Sequence, residues 1–266
     1  MKITALQTDI AWCDTPRNLA LATTLIRESE PSDLYLLPEM FTTGFISHPQ
    51  EEVESECGIT LDWMKKMACD TNASIAGSVA VRANDKSYRN RLYFVMPDGT
   101  YHYYDKHHLF TYADEHLHYT PGMAPVIVHW RGVNIMLQVC YDLRFPCFSR
   151  NRNYSQFTTD NFQQPAVHHL PYDLCLYVAN WPSSRRAAWD VLLRARAIEN
   201  QCYIVGVNRI GDDPACHYNG GTTIIDPYGN PIATAHDEQT CAITATLDLA
   251  RLQHFREKFP VLLDAD

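Results

Sequence analysis

Short apolar runs rich in β-branched residues alternate along this chain with stretches whose apolar positions recur every three or four residues. The first pattern reads as buried strand and the second as amphipathic helix. Residues 2–9 alternate as a first strand. Asp14, Thr15 and Pro16 then supply a capping side chain and a helix-starting proline, and Leu19, Ala22, Leu25 and Ile26 share a face of the helix that follows. Leu34-Tyr35-Leu36-Leu37 is a short buried strand that stops at Pro38, with Glu39 directly behind it. A second helix is predicted over 61–70, with Leu61, Met64, Met67 and Ala68 facing inward. Strands at 74–81, 89–96 and 100–104 follow, the last two joined by the turn Pro97-Asp98-Gly99, and the third delivers Lys106-His107-His108.

After a loop at 112–122 dense in hydrogen-bonding groups, strands at 126–130 and 133–139 run into Cys140. Another buried strand ends at Asn180 and Trp181, and the helix expected over 187–200 turns Val191, Leu192, Ala195 and Ile198 to the core. Further strands are read at 203–208, 221–225, 232–235 and 241–247. A short helix and tail at 249–266 leaves Phe259, Val261 and Leu262 exposed. The segment 150–172 shows no period and is too long for an ordinary connection. Helices and strands alternate at both ends, with hairpins between, which predicts an α/β layered domain with sheets inside and helices outside.

At 266 residues and 46% hydrophobic content, the chain suits one large domain spanning 1–266. A net charge of -9 argues against nucleic acid or an anionic membrane as the main partner, because both need a basic face. No run is long and apolar enough to span a bilayer, and no signal-like apolar segment follows Met1. Nine cysteines, an odd number without a Cys-x-x-Cys pair, fit reduced thiols in a cytoplasm. The twelve histidines have no clean metal-ligand spacing, so no metal is expected.

Glu39, Lys106 and Cys140 each stand at a strand end, where the backbone opens into loops that substrate can reach. Each alone reads as an ordinary residue: a loop glutamate, a surface lysine, a core cysteine. Together they form a kit for acyl transfer, since a thiol needs a base or a nearby cation to become a nucleophile. Glu39, flanked by Leu37, Met40 and Phe41, is a candidate base whose apolar setting would raise its pKa. Lys106 and the backbone N–H after Cys140 are candidate oxyanion donors. A Cys–His pair using His107 or His108 is the rival arrangement. Arg144 and Arg185 are candidates to hold an anionic substrate, with Trp181 as an apolar wall, although Arg144 is equally placed to pair with Asp142.

The blocks Leu37-Pro38-Glu39-Met40-Phe41, Tyr104-Asp105-Lys106-His107-His108-Leu109-Phe110 and Val139-Cys140-Tyr141-Asp142-Leu143-Arg144-Phe145-Pro146 resemble, in order, the signature blocks of the carbon-nitrogen hydrolase (nitrilase) superfamily. The resemblance runs from Lys2 to the end and takes in Arg194 to Asn200 and Asp226-Pro227-Tyr228-Gly229. Thr42-Thr43-Gly44-Phe45, Glu115-His116-Leu117-His118-Tyr119 and Arg256-Glu257-Lys258-Phe259-Pro260 are similar to its omega-amidase branch. The resemblance implies a four-layer αββα sandwich that pairs into a homodimer, with no metal or organic cofactor. It further implies Cys140 as nucleophile, Glu39 as base and then acid, Lys106 as oxyanion stabiliser and Glu115 as a second carboxylate. Tyr141, Arg144, Trp181, Arg185 and Phe45 are the expected substrate-binding residues. The implied reaction releases ammonia from the ω-amide of a small keto-dicarboxylic acid through a thioester. The alternatives are an N-carbamoyl amidase, an aliphatic amidase, a nitrilase, or a binding member of the fold without catalysis. The length of segment 150–172 departs from the branch and bears on substrate range.

Overall fold

The computed structural model describes residues 1–49, 53–151 and 171–264. Most of segment 150–172 therefore lies outside the described residues, as do the last two residues of the tail. In chain order the first half comprises β1 (Lys2–Gln7), α1 (Thr15–Glu28), β2 (Leu34–Leu36), β3 (Glu54–Ser55), α2 (Ile59–Thr71), β4 (Ser74–Arg82), β5 (Tyr88–Val95) and β6 (Tyr101–Asp105). The second comprises α3 (Glu115–His118), β7 (Val126–Trp130), β8 (Val133–Val139), β9 (Leu174–Val178), α4 (Arg186–Asn200), β10 (Tyr203–Val207), β11 (Ile210–Asp212), β12 (His217–Asn219), β13 (Thr223–Ile225), β14 (Pro231–Thr234), β15 (Cys241–Thr246) and α5 (Leu249–Lys258).

The strands form two sheets and a hairpin. One sheet runs β15-β1-β2-β4-β5-β6 with β3 beside β4, the other runs β14-β13-β10-β9-β8-β7, and β11 pairs with β12. Side-chain alternation explains how they stack. Ile3 and Ala5, Leu34 and Leu36, Leu92 and Phe94 on the first sheet meet Ile135, Leu137 and Val139, Leu174, Leu176 and Val178 on the second in one shared core. The opposite parity of the first sheet, including Tyr35, Leu37, Ile75 and Tyr93, packs under Ala22 and Ile26 of α1 and Leu61, Met64, Met67 and Ala68 of α2. The opposite parity of the second, Met136, Cys175, Tyr177 and Ile204, packs under Trp189, Leu193 and Ala197 of α4. The result is the αββα sandwich. Strands buried on both faces read as near-continuous apolar runs, which is why β2, β8 and β9 stand out in the sequence.

The elements begin where their local chemistry dictates. The Asp14 carboxylate accepts the Arg17 N–H at 3.1 Å, with Pro16 in the first turn of α1. The loop expected at 112–122 is partly ordered as a single 3₁₀ turn, Thr111–Ala113, followed by α3.

Two expectations are corrected, and one hairpin is added. The buried face of α4 is Trp189, Leu193 and Ala197 with Arg196 and Asn200, whereas Val191 is 65% and Ile198 54% exposed. The helix carries two apolar stripes, and the sheet takes the one holding Trp189, whose side chain buries the most area. In the tail, Phe259 is exposed but Leu262 is buried and Val261 partly so. A 3₁₀ turn, Val261–Leu263, folds the chain back, and Gln201 donates to the Phe259 carbonyl at 2.7 Å. The β11–β12 hairpin went unpredicted because three-residue strands around Gly211 and Asp212 have little β-propensity.

The two ends of segment 150–172 are fastened to each other. Asn151 donates to the Tyr172 carbonyl at 2.9 Å and to the Asn200 carbonyl at 3.0 Å, and its own amide N–H donates to the Asn200 side chain at 2.8 Å.

Because Trp189 is fully buried between α4 and the second sheet, Trp189→Ala should lower the unfolding free energy by about 3–5 kcal/mol in urea titration. A loss below about 1 kcal/mol would show that another stripe of α4 carries the packing.

Candidate active site

Parallel β1, β2 and β4 in one sheet and β8, β9 and β10 in the other send their carboxyl ends to one edge of the sandwich. Glu39 follows β2, Lys106 follows β6, Cys140 follows β8 and Asn180 follows β9. Leu37 N–H donates to Ala76 and Phe41 N–H to Ser78, so the Glu39 turn is stitched onto β4. Met40, behind Glu39, has φ 42°, and Cys140 has φ 46°. Non-glycine residues rarely adopt this left-handed backbone, and it turns both side chains abruptly out of their strands.

Glu39, Lys106 and Glu115 are completely buried, and Cys140 is half-buried. Lys106 Nζ lies 2.9 Å from Glu39 Oε1 and 2.8 and 3.2 Å from the two oxygens of Glu115. Asn90 Nδ2 bridges the same two carboxylates at 2.8 and 3.1 Å, its own oxygen accepting Ser78 Oγ. Backbone donors add to these: Asn180 N–H to Glu39 Oε2 at 2.8 Å and Phe110 N–H to Glu115 Oε2 at 2.6 Å. The Asn180 side chain also donates to the Glu39 carbonyl at 2.7 Å, and Cys140 Sγ lies 3.9 Å from the Asn180 carbonyl oxygen. The expected apolar setting of Glu39 is therefore a polar one, saturated with donors.

Burial pushes the Cys140 thiol well above its ordinary pKa, the Glu39 carboxylate raises it further, and Lys106 opposes both. Burial disfavours the Lys106 ammonium, but Glu115 and then Glu39 outweigh it, and the group sits well above the usual lysine range. Glu115 is raised by burial, with Lys106 lowering and Glu39 raising it. Within the cluster the thiol is thus favoured over the thiolate and the ammonium of Lys106 over the free amine.

A cavity of about 660 Å³ opens above this cluster. Phe45, Tyr141 and Trp181, expected at the site, line it, as do Phe110, Tyr112, Trp12 and Tyr218. Arg144 and Arg185 also face it. Arg144 lies 4.9 Å from the Trp181 ring, and Arg185 lies 5.3 and 5.4 Å from the rings of Phe110 and Tyr112. Neither arginine forms an ion pair among the described residues. Asp142 does not pair with Arg144; it is buried and bound to Tyr104, His108 and Val139. Asp213 in the pocket wall is occupied by Tyr218 Oη and the N–H groups of Ala215 and Cys216. The Cys–His arrangement is not formed, since His107 bonds the Gly122 carbonyl, His108 bonds Asp142, and neither lines the cavity.

Asn90 and Asn180 were missed in the sequence. Asn90 shares the parity of Leu92 and Phe94, so a polar residue pointing into the shared core was the available signal. Asn180 was visible only as a strand end.

A model of the carbon-nitrogen hydrolase family matches residues 2–257. The chain belongs to that family. Among carbon-nitrogen hydrolases it is 46% identical to omega-amidase YafV of Escherichia coli K12, over 100% of this chain and 97% of that protein. It is 35% identical to 2-oxoglutaramate amidase of Bacillus subtilis, over 98% and 96%. Among solved structures, XC1258 of Xanthomonas campestris, a CN-hydrolase superfamily protein carrying an arsenic adduct in its active site, superposes with a TM-score of 0.90. It is 41% identical, over 100% and 97% of the two chains. Nit3 of Saccharomyces cerevisiae, at 21% identity, shares the fold with a TM-score of 0.83 over 98% and 94%.

With the thiol favoured over the thiolate, alkylation of Cys140 by iodoacetamide should still be accelerating above pH ~8.5, the ordinary thiol pKa. Peptide-resolved rates across pH test this, and a Cys140 rate that plateaus below neutral pH would contradict it.

Proposed function

We propose that the protein is an omega-amidase that releases ammonia from the terminal amide of a small keto-dicarboxylic acid monoamide, of the 2-oxoglutaramate or 2-oxosuccinamate type. The observation that carries this reading is the pair of arginines, Arg144 and Arg185, that have no acidic partner among the described residues and face the aromatic cavity whose floor is the Cys140–Glu39–Lys106 cluster. Kinship with YafV and the 2-oxoglutaramate amidase supports the same substrate class. Because the protein is acidic, an anionic substrate gains nothing from net charge and needs such local donors.

In this reading Glu39 takes the Cys140 proton as sulfur attacks the amide carbon. The oxyanion forms against Lys106 Nζ and the Tyr141 N–H, which stands in the first turn of the 3₁₀ helix Cys140–Arg144 and has no intrahelical acceptor. Glu39 returns the proton to the departing nitrogen, ammonia leaves, and a thioester to Cys140 remains. Water, deprotonated by Glu39, then cleaves the thioester and regenerates the thiol. Glu115 keeps Lys106 charged and aimed. The remote carboxylate is held by Arg144 and Arg185, with Trp181 and Phe45 along the methylenes.

No helix of the described residues is long and apolar enough to cross a membrane. An odd cysteine count without a Cys-x-x-Cys pair supports a cytoplasmic location. For a second copy of the chain, the outer face of α4 offers an apolar patch. There Ile198 adjoins Gly229, while the rings of Tyr228 and Phe255 lie 4.2 Å apart, tilted, and exposed Phe259 continues the patch. Ile198→Asp should convert a dimer to monomer in sedimentation velocity, and a wild type that already sediments as a monomer would exclude this interface.

Ammonia release should be abolished in Cys140→Ala. The ω-amide should be hydrolysed much faster than a neutral amide of equal length, and Arg144→Met and Arg185→Met should each lower kcat/KM for the anionic substrate by about 10- to 150-fold. Equal rates on the two amides in the wild type would replace the omega-amidase reading by an aliphatic amidase.

A further inference from the structure

Behind the nucleophile stands a buried carboxylate that the chemistry above does not use. Asp142 has no exposed surface and receives four donors. Oδ2 accepts the Val139 N–H at 3.0 Å and the Tyr104 hydroxyl at 2.8 Å, while Oδ1 accepts the His108 N–H at 2.9 Å and His108 Nδ1 at 2.8 Å. Because a carboxylate oxygen only accepts, Nδ1 of His108 carries its proton. The His107 N–H donates to the Tyr104 oxygen at 3.1 Å, which fixes that hydroxyl as the donor to Asp142.

The placement of these bonds gives them a role. Val139 precedes Cys140, and Asp142 lies two residues beyond it; Tyr104 and His108 lie two residues either side of Lys106. One carboxylate therefore clasps both flanks of the lysine-bearing strand end to the turn that carries the thiol. Cys140 itself sits at φ 46°, a conformation that persists only where the surroundings over-determine it. The bond from Val139 N–H to Asp142 closes that turn.

We infer that Asp142 is a positioning residue that sets the Cys140–Lys106 geometry, with Tyr104 and His108 as its anchors on the lysine side. The inference rests on the reading of Cys140 as nucleophile and Lys106 as oxyanion donor. Misplacing reacting groups by about 1 Å lowers turnover about 100-fold without removing any reacting atom.

The test compares Asp142→Asn, Tyr104→Phe and His108→Phe with wild type, scoring kcat per alkylatable Cys140 so that misfolded protein is not counted, and with Cys140→Ala, scored per total protein. The asparagine amide turns a donor toward Val139 N–H and Tyr104, or toward His108, where only acceptors fit. Asp142→Asn should lower kcat by about 10- to 100-fold while leaving KM within about two-fold, with a parallel change in the alkylation rate of Cys140 and none at Cys147. Tyr104→Phe and His108→Phe, each removing one donor, should move kcat in the same direction by smaller factors. Wild-type kcat per titrated thiol in Asp142→Asn overturns the inference. If Asp142→Asn does not fold, wild-type values in both single-donor variants overturn it, and lowered kcat in them upholds it. An active Cys140→Ala would sink the nucleophile reading itself, whereas an inactive Cys140→Ala beside a fully active Asp142→Asn sinks only the clasp.

Discussion

The site depends on one buried ammonium. Lys106 lies between Glu39 and Glu115 with none of the three exposed to solvent, and two carboxylates cannot both be held dry around one cation unless their other oxygens are satisfied. Asn90 bridges them, the Asn180 N–H takes the other Glu39 oxygen, and the Phe110 N–H adds a second donor to Glu115 Oε2. Each of these donors comes from a different part of the chain. Removing one partner from such a buried pair is destabilising by about 3–5 kcal/mol. The cluster therefore constrains the relative placement of β2, β5, β6, α3 and β9 as strongly as it prepares the chemistry.

That constraint also fixes the surroundings of the thiol. The Lys106 ammonium, hydrogen-bonded to both carboxylates, holds Glu39 in place. The left-handed turns at Met40 and Cys140 bring the glutamate and the cysteine out of two different sheets to the same cavity. The pocket above differs in chemistry from its floor: its walls are aromatic and carry two arginines, while the floor holds the thiol, the lysine and Glu39.

The fold was legible where burial repeats at a simple period. The strands leading to Glu39, Lys106, Cys140 and Asn180 emerged from apolar runs, and the three signature blocks gave the αββα arrangement. What failed has common causes. On α4 two apolar stripes competed, and periodicity cannot tell which one a sheet will cover. Leu262 was hidden because a 3₁₀ turn reverses the tail. Asn90 offered only its core-facing parity, Asn180 only a strand end, and Asp142 stood in a signature block without a role. Their importance lies in donors and acceptors that meet only after the two sheets are stacked, as when Asp142 finds Tyr104 thirty-eight residues away.

The closure at Asn151 bears on how this scaffold can diversify. Its bonds to Tyr172 and to Asn200 hold the two chain ends together and dock them on the end of α4. The entropy of closing a longer connection grows only slowly with its length, about 0.6 kcal/mol per doubling. Residues gained or lost between those two points therefore cost the fold little, because the clamp that joins the ends lies outside the stretch that changes.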